Sequence, residues 1–250
     1  MTKIVAIAGS PSHPSRTYGI VEYALNLLAE KGFETDIISV RDLPSEDLIL
    51  GRYDSPALEP AKVLIQAASG LIIATPVYKA AYTGVLKSFL DLLPPKFLSG
   101  KVILPIATGG TIAHLLSIDY TLKPVLSELG AEYLLNGVYV VDQQIQRQED
   151  GSFLFDEEIQ QRLQKSIQDL ETSHKDYLTH FSISFDRMAL AIRLRVEDMD
   201  SVPDPLPPTH LPWDKVYPCE SGGNLVPTTR RGCPIPSFLI LGYWNTVTIF

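Results

Sequence analysis

Residues 9–17 read Gly-Ser-Pro-Ser-His-Pro-Ser-Arg-Thr, and they join two segments with different periodicities. The residues before them, Ile4 to Ala8, form a short apolar run that is typical of a buried strand. The residues after them carry apolar side chains at helical spacing from Ile20 to Leu28. A buried strand that turns through such a loop into a helix is the place where an open α/β sheet binds anions.

The chemistry of this loop suits a phosphate group. Ser10, Ser12, Ser15 and Thr17 offer hydroxyls and Arg16 offers a guanidinium, beside the positive end of the helix dipole. The loop contains neither the Gly-x-Gly-x-x-Gly of dinucleotide sites nor the Gly-Lys-Ser/Thr of a Walker loop. A phosphomonoester such as that of FMN fits it better. An ordinary capped helix start remains the alternative, because Ser and Thr are common N-caps.

Strands and helices alternate along the chain, which predicts an α/β fold with helices on both faces of a parallel sheet. The predicted strands are Ile4–Ala8, Thr35–Val40, Leu71–Thr75, Val102–Ala107 and Tyr133–Val141. The predicted helices start near Ile20, Ala61, Gly84, Ile112 and Asp156. With five strands we expect the flavodoxin-like order 2-1-3-4-5, in which the loops 9–17 and 76–83 meet at the switch point between strands one and three.

Three features depart from this regular pattern. Pro105 interrupts the fourth strand and predicts a bulge or an irregular ladder. Pro124 lies inside the helix predicted from Ile112 to Leu129 and cannot donate to the carbonyl of Tyr120, so we expect a kink or a single π-turn there. Residues 41–60 form a long polar connection on the rim of the sheet.

The composition excludes several classes of function. The chain has 250 residues, 45% of them hydrophobic, and a net charge of −8, which argues against a nucleic-acid partner. No uncharged run reaches the length of a membrane span, and Met1-Thr2-Lys3 leads directly into a strand, so we expect a cytoplasmic protein that does not bind membranes. No metal site is indicated. Cys219 and Cys233 are read as free thiols rather than as a disulfide or metal ligands, so redox chemistry requires a bound cofactor.

The C-terminal region differs in composition from the rest of the chain. Nine of the 19 prolines lie between Pro203 and Pro236, so residues 200–236 are predicted to be extended or disordered. The apolar run Phe238 to Phe250 could add an edge strand, dock on a partner or promote aggregation. We therefore divide the chain into a flavodoxin-like domain, 1–180, and a Pro-rich extension, 181–250.

Four stretches in the body of the chain carry a family resemblance, in the same order along the sequence. They are Ala8-Gly9-Ser10-Pro11 with Pro14-Ser15-Arg16, residues 52–58 (Arg-Tyr-Asp-Ser-Pro-Ala-Leu), residues 74–84 (Ala-Thr-Pro-Val-Tyr-Lys-Ala-Ala-Tyr-Thr-Gly), and residues 107–124 from Ala107-Thr108-Gly109-Gly110-Thr111 to Lys123-Pro124. Through them, residues 1–174 resemble the NAD(P)H-dependent FMN reductases, most closely those of two-component alkanesulfonate monooxygenase systems.

The resemblance implies a flavodoxin-like homotetramer that reduces FMN with a pyridine nucleotide and supplies a partner FMNH2-dependent monooxygenase. We take NADPH as the expected nucleotide, and no motif in the sequence decides between NADPH and NADH. The resemblance implies that the FMN phosphate is held by Ser10, Ser15, Arg16 and Thr17. It implies that Pro76, Val77, Tyr78 and Lys79 run along the isoalloxazine and that Thr108, Gly109, Gly110 and Thr111 approach its pyrimidine edge. It also places Tyr120 in a π-helical turn at the tetramer interface, where it keeps FMN exchangeable.

Hydride passes from the nicotinamide to the flavin, so the cofactors carry the reaction and no dedicated catalytic residue is expected. Two other functions remain open on the same fold. One is a quinone or azo reductase with tightly held FMN, and the other is a flavodoxin-type electron carrier that does not oxidise NAD(P)H.

Overall fold

The computed structural model describes residues 2–174 of the chain. Its centre is a parallel sheet in the order β2-β1-β3-β4-β5, with β6 also paired to β4, which confirms the predicted flavodoxin-like order. The strands of this sheet are β1 (Lys3–Ala8), β2 (Glu34–Ser39), β3 (Gly70–Pro76), β4 (Val102–Gly109), β5 (Tyr133–Leu134) and β6 (Val138–Val141).

Helices cover both faces of the sheet, as predicted. They are α1 (Arg16–Glu30), α2 (Ser45–Leu50), α3 (Glu59–Ala67), α4 (Gly84–Leu90), α5 (Lys123–Glu128) and α6 (157–174). Each central strand sends alternate side chains into two separate cores. In β1, Ile4 and Ala6 belong to the core under α1 and α6, whereas Val5 and Ile7 belong to the core under α3, α4 and α5. No helix in residues 2–174 is long and apolar enough to cross a membrane.

The irregularity predicted at Pro105 appears in the neighbouring strand. β4 is continuous against β3, where Pro105 pairs with Ile73. On its other side, β4 pairs with β5 as far as Ile103 and then with β6 from Ile106 onward. The single strand predicted over Tyr133–Val141 is therefore wrong, because proline lacks the N–H that would continue the ladder on that edge.

The helix predicted from Ile112 to Leu129 is also broken into parts. A short 3₁₀ turn, Ile112–His114, precedes a π-helical turn at Ile118–Leu122, and α5 begins only at Lys123, immediately before Pro124. The expected π-turn around Tyr120 is confirmed. Proline is tolerated in the first turn of a helix, so Pro124 opens α5 rather than kinking it.

The polar connection over residues 41–60 is more structured than predicted. It contains two 3₁₀ turns and α2, because Asp47 is buried and accepts hydrogen bonds from Ser55 and Arg52. Leu48 is the one apolar residue of α2 that is buried in the core, so this short helix shows no apolar periodicity. The contacts of Asp47 link α2 to the residues that follow it.

A β-hairpin that the sequence analysis did not predict lies between β6 and α6. It consists of β7 (Ile145–Arg147) and β8 (Phe153–Phe155). Phe153 and Phe155 pack against the core under α1, and the nearest atom of the Phe153 ring lies 2.2 Å from the point where a Cβ on Gly19 would be. The assignments made for residues 200–236, Phe238–Phe250, Cys219 and Cys233 lie outside the described residues, and the boundary at residue 180 stays a prediction.

Candidate active site

A cleft opens at the carboxyl ends of β1, β3 and β4, where the sheet order reverses. Its volume is about 210 Å³, and it combines hydroxyl groups, backbone and one cation. The residues that line it are Ser10, Ser12, Pro14, Ser15, Arg16, Thr17, Pro76, Val77, Tyr78, Thr108, Gly109, Gly110 and Asp142. Ten of the twelve residues expected to bind cofactor are in this set, so the structure brings together most of the predicted site.

One end of the cleft is formed by the start of α1. Ser15 is the N-cap of this helix, and its side chain accepts a hydrogen bond from the backbone N–H of Tyr18 at 3.2 Å. The first N–H groups of a helix have no partner within the helix, so those of Arg16 and Thr17 remain to bind a ligand. The helix cap that was the alternative is therefore present, and a helix start of this kind is also compatible with anion binding.

Buried hydroxyls connect this helix start to the end of β4. The side-chain oxygens of Thr17 and Thr108 lie 2.7 Å apart, and both residues are almost fully buried. The backbone N–H of Val77 donates to the carbonyl of Thr108 at 2.7 Å. These two contacts fix the relative positions of the three loops that surround the cleft.

The loops after β1 and β3 are joined through Thr83. Its hydroxyl donates to the carbonyl of Gly9, and its backbone N–H donates to the hydroxyl of Thr75 at 3.1 Å. Thr83 is also the N-cap of α4, where its oxygen accepts from the N–H of Leu86. Gly9 allows this close approach, because a Cβ there would lie 2.8 Å from the Leu86 Cβ and 3.1 Å from the carbonyl oxygen of Ala74.

Tyr139 supports the loop after β4 from behind, and the sequence analysis did not identify it. Its ring is 1% exposed, and its hydroxyl donates to the carbonyl of Thr111 at 2.7 Å. Burial, and to a smaller extent the charge of Asp142, raises the pKa of the Tyr139 hydroxyl above its usual value. The same hydroxyl lies 2.2 Å from the position of a Cβ on Gly109, so only glycine fits there.

The charged groups of the cleft are Arg16 and Asp142. The Arg16 Nη1 and the Asp142 Oδ2 lie 4.0 Å apart, and each side chain is about half exposed. Arg41, outside the cleft, donates from Nη1 to the carbonyl of Ser12 at 3.0 Å and so restrains the loop over residues 9–17. The sequence analysis missed Asp142 and Arg41, since both follow strands whose ends it did not treat as part of the site.

The Pro76–Thr83 loop contains a tight turn. Tyr78 and Ala81 exchange backbone hydrogen bonds of 2.8 and 3.1 Å, and the two residues between them, Lys79 and Ala80, have φ values of 52° and 64°. Positive φ at both central positions is the pattern of a type I′ turn, which non-glycine residues seldom adopt. Tyr78, which is 48% exposed, lines the cleft, whereas Lys79 is exposed and does not line it.

Three predicted residues lie apart from the cleft lining. Lys79 occupies the exposed turn just described. Thr111 accepts from the N–H of Ala113 through its side chain and from Tyr139 through its carbonyl, so it shapes the loop without lining the cleft. Tyr120 is 76% exposed in the π-helical turn. Their proposed roles stay predictions.

The donor set of the cleft fits FMN. Ser10, Ser15, Thr17 and Thr108 are buried polar residues at the positive end of α1, and Arg16 supplies the positive charge that a phosphate monoester requires. Beyond them, Pro76–Tyr78 provide apolar surface for a flat ring, and Gly109 and Gly110 let the backbone approach such a ring closely. Of the described residues that line the cleft, none is a cysteine or a histidine, which suits a reaction carried by the bound cofactors.

Comparison with known proteins identifies the family. Residues 2–146 match the family model described as NADPH-dependent FMN reductase. FMN reductase (NADPH) of Escherichia coli K12 is 51% identical over 143 residues, 57% of this chain and 75% of that protein. FMN reductase (NADPH) of Pseudomonas putida KT2440 is 45% identical over 172 residues, 68% of this chain and 86% of that protein.

A solved structure agrees with these sequence matches. The apo form of an NADH:FMN oxidoreductase (EMOB) is 39% identical, with a TM-score of 0.63 over 69% of this chain and 90% of that one. The residues matched by the family model include every residue that lines the cleft, from Ser10 to Asp142. The chain belongs to the NADPH-dependent FMN reductase family and is an NAD(P)H:FMN oxidoreductase.

Proposed function

We propose that the cleft is the flavin site, with the FMN phosphate at the start of α1 and the isoalloxazine between the loops after β3 and β4. The observation that carries this proposal is the convergence of four buried hydroxyl residues, Ser10, Ser15, Thr17 and Thr108, with the Arg16 guanidinium on one cleft. Hydroxyls and helix N–H groups bind the phosphate, and Arg16 adds a charge-assisted bond.

The two cofactors, when bound, would supply the chemistry, which is hydride transfer from nicotinamide to flavin. The protein aligns the two rings. Tyr78 is half exposed on the open side of the cleft, where it can pack against a flat ring. On the opposite wall, Gly109 and Gly110 would let the backbone approach the flavin edge closely, and Gly110, which follows the last residue of β4, would present its N–H group to a flavin carbonyl.

We also propose that the enzyme is a cytoplasmic homotetramer that supplies reduced FMN to an alkanesulfonate monooxygenase. The resemblance set out in the sequence analysis supports this partner. Four exposed apolar residues support assembly through the segment before α5: Ile112, Leu115, Leu116 and Tyr120. Tyr120 in its π-helical turn would then lie at the interface and keep the flavin exchangeable.

Steady-state kinetics test this function. We expect the purified protein to oxidise NADPH in the presence of added FMN, with a rate that saturates in FMN. Sequential kinetics with FMN as a dissociable substrate support the proposal, whereas a ping-pong pattern with retained flavin and fast quinone turnover favours a quinone reductase. NADH is compared under the same conditions, because both nucleotides occur among the relatives. No loss of NADPH absorbance would leave only the electron-carrier function.

A further inference from the structure

Asp142 is the one acidic residue among the described residues that line the cleft. It opens the 3₁₀ turn Asp142–Gln144 directly after β6, whose last residue, Val141, pairs with Gly109 on β4. The side-chain oxygen of Gln144 accepts from the N–H of Val141 at 3.0 Å, and its carbonyl accepts from the N–H of Asp156 at 3.1 Å. These bonds hold the backbone of the turn that carries Asp142 in a defined position beside the cleft.

The position of Asp142 is unusual for an anion site, because every other polar group of the cleft favours a negative ligand. Its Oδ2 lies 4.0 Å from the Arg16 Nη1, beyond hydrogen-bond distance, and both side chains are about half exposed. In this geometry, Arg16 and Asp142 orient one another only weakly. The negative charge nevertheless acts on the cleft wall, since it contributes to the raised pKa of Tyr139.

A carboxylate beside the only described cation of the cleft can affect a phosphate in two opposite ways. It can hold Arg16 in a conformation that binds the phosphate, in which case its removal weakens binding. It can instead repel the phosphate and compete for Arg16, in which case its removal strengthens binding. The long separation between Arg16 and Asp142 and the exposure of both side chains favour the second effect.

We propose that Asp142 weakens the binding of the FMN phosphate and so sets the affinity at which FMN enters and leaves the cleft. This inference rests on the proposed flavin site. A phosphate monoester carries close to two negative charges at neutral pH, so one nearby carboxylate opposes it appreciably even in a partly solvated cleft. Asp142 is in this sense an affinity-determining residue for a flavin that is exchanged at each turnover.

The test is the dissociation constant of FMN for the wild-type protein, Asp142→Asn and Asp142→Ser, with riboflavin as a ligand that lacks the phosphate. We expect both variants to bind FMN about three- to tenfold more tightly than the wild type and to bind riboflavin with unchanged affinity. The gain for FMN should shrink as the salt concentration rises, because salt screens the repulsion. Thermal unfolding of each variant establishes that it is folded.

Asp169→Asn is the matched control for net charge. Asp169 is an exposed residue on α6. Its neighbour Gln168 accepts a hydrogen bond from Lys31, which follows the C-terminal end of α1. Arg16 lies at the other end of that helix, so Asp169 is on the side away from the cleft. This variant should bind FMN as the wild type does. Tightening by Asp169→Asn equal to that by Asp142→Asn would overturn the inference, because it would reflect net charge alone.

The outcomes separate this inference from the flavin site itself. If the wild type prefers FMN to riboflavin but Asp142→Asn binds FMN equally or more weakly, the phosphate site stands and the inference is wrong. If the wild type binds FMN no better than riboflavin, the phosphate site is wrong and the inference fails with it.

Discussion

Gly109 is the residue of the cleft at which a single added methyl group has the most definite consequence. A Cβ at this position would lie 2.2 Å from the Tyr139 hydroxyl and 3.1 Å from Cζ of the same ring. Tyr139 has no free space to move into, since it is 1% exposed and its hydroxyl is bonded to the Thr111 carbonyl. Gly109→Ala must therefore displace either the ring or the loop that lines the cleft.

The expected cost has two parts. Forcing extra volume into a packed core costs about 1–3 kcal/mol. Breaking the hydrogen bond between Tyr139 and Thr111 leaves a buried hydroxyl unpaired and costs about 1–2 kcal/mol more. We expect Gly109→Ala to lower the free energy of unfolding by about 2–5 kcal/mol, and to weaken FMN binding because the displaced loop carries Thr108 and Gly110.

Urea unfolding measures this cost, and two further variants isolate its cause. Gly110→Ala is the matched control, because nothing lies within 4 Å of a Cβ there, and it should change the free energy of unfolding by less than about 0.5 kcal/mol. In the Tyr139→Phe background there is no hydroxyl for the new Cβ to clash with. There, Gly109→Ala should lower the free energy of unfolding by less than half as much as it does in the wild type. An equal cost in both backgrounds, or a stable Gly109→Ala single variant, would refute the reasoning.

Three further variants test other parts of the account. Arg16→Gln should raise the dissociation constant of FMN at least about tenfold, because the charge-assisted bond to the phosphate is lost. The dissociation constant of riboflavin, measured in the same way by flavin fluorescence, should not change. An equal rise for riboflavin would contradict the assignment of Arg16 to the phosphate. Deletion of Tyr120 should give protein that purifies with bound yellow flavin, and colourless protein with unchanged turnover would rule out the proposed role. His174 is 4% exposed, and burial lowers the pKa of its imidazole below the ordinary value of 6.5. The unfolded chain therefore takes up the proton at a higher pH than the folded chain does. The free energy of unfolding should accordingly fall as the pH decreases below about 6.5. His174→Gln should remove this part of the pH dependence of urea unfolding, and an unchanged dependence would exclude His174 as its source.

The regular part of the fold could be predicted from the sequence because its signals are local. A few neighbouring residues are enough to predict a buried strand or a buried helix face, as in the apolar run Leu71–Thr75 and the helical spacing from Ile20 to Leu28. The π-turn was predictable for the same reason, since Pro124 removes a hydrogen bond at a known distance along the chain.

The elements that were missed depend on contacts between distant residues. The break between β5 and β6 follows from Pro105 on the neighbouring strand, about thirty residues earlier in the sequence. α2 has one apolar residue buried in the core, Leu48, and is linked to the residues that follow it by the bonds that Asp47 accepts from Arg52 and Ser55. Short strands such as β7 carry too few residues to show alternation.

The cleft was predictable where the site residues lie at the carboxyl ends of buried strands, as Ser10 and Thr108 do. Its supporting residues were not. Tyr139 resembles any core aromatic in the sequence, and only the structure shows that its hydroxyl reaches Thr111. Asp142 directly follows Val141, where the predicted strand does end, but nothing in the sequence connected its carboxylate with Arg16.

The most direct test of the central claim is the fate of the reduced flavin. The protein is mixed anaerobically, in catalytic amount, with excess NADPH and FMN, and the solution is passed through a membrane that retains the protein. We predict that reduced FMN appears in the filtrate in step with NADPH consumed, over many turnovers per protein chain. Reduced flavin that stays with the protein, at no more than one equivalent per chain, would contradict the account.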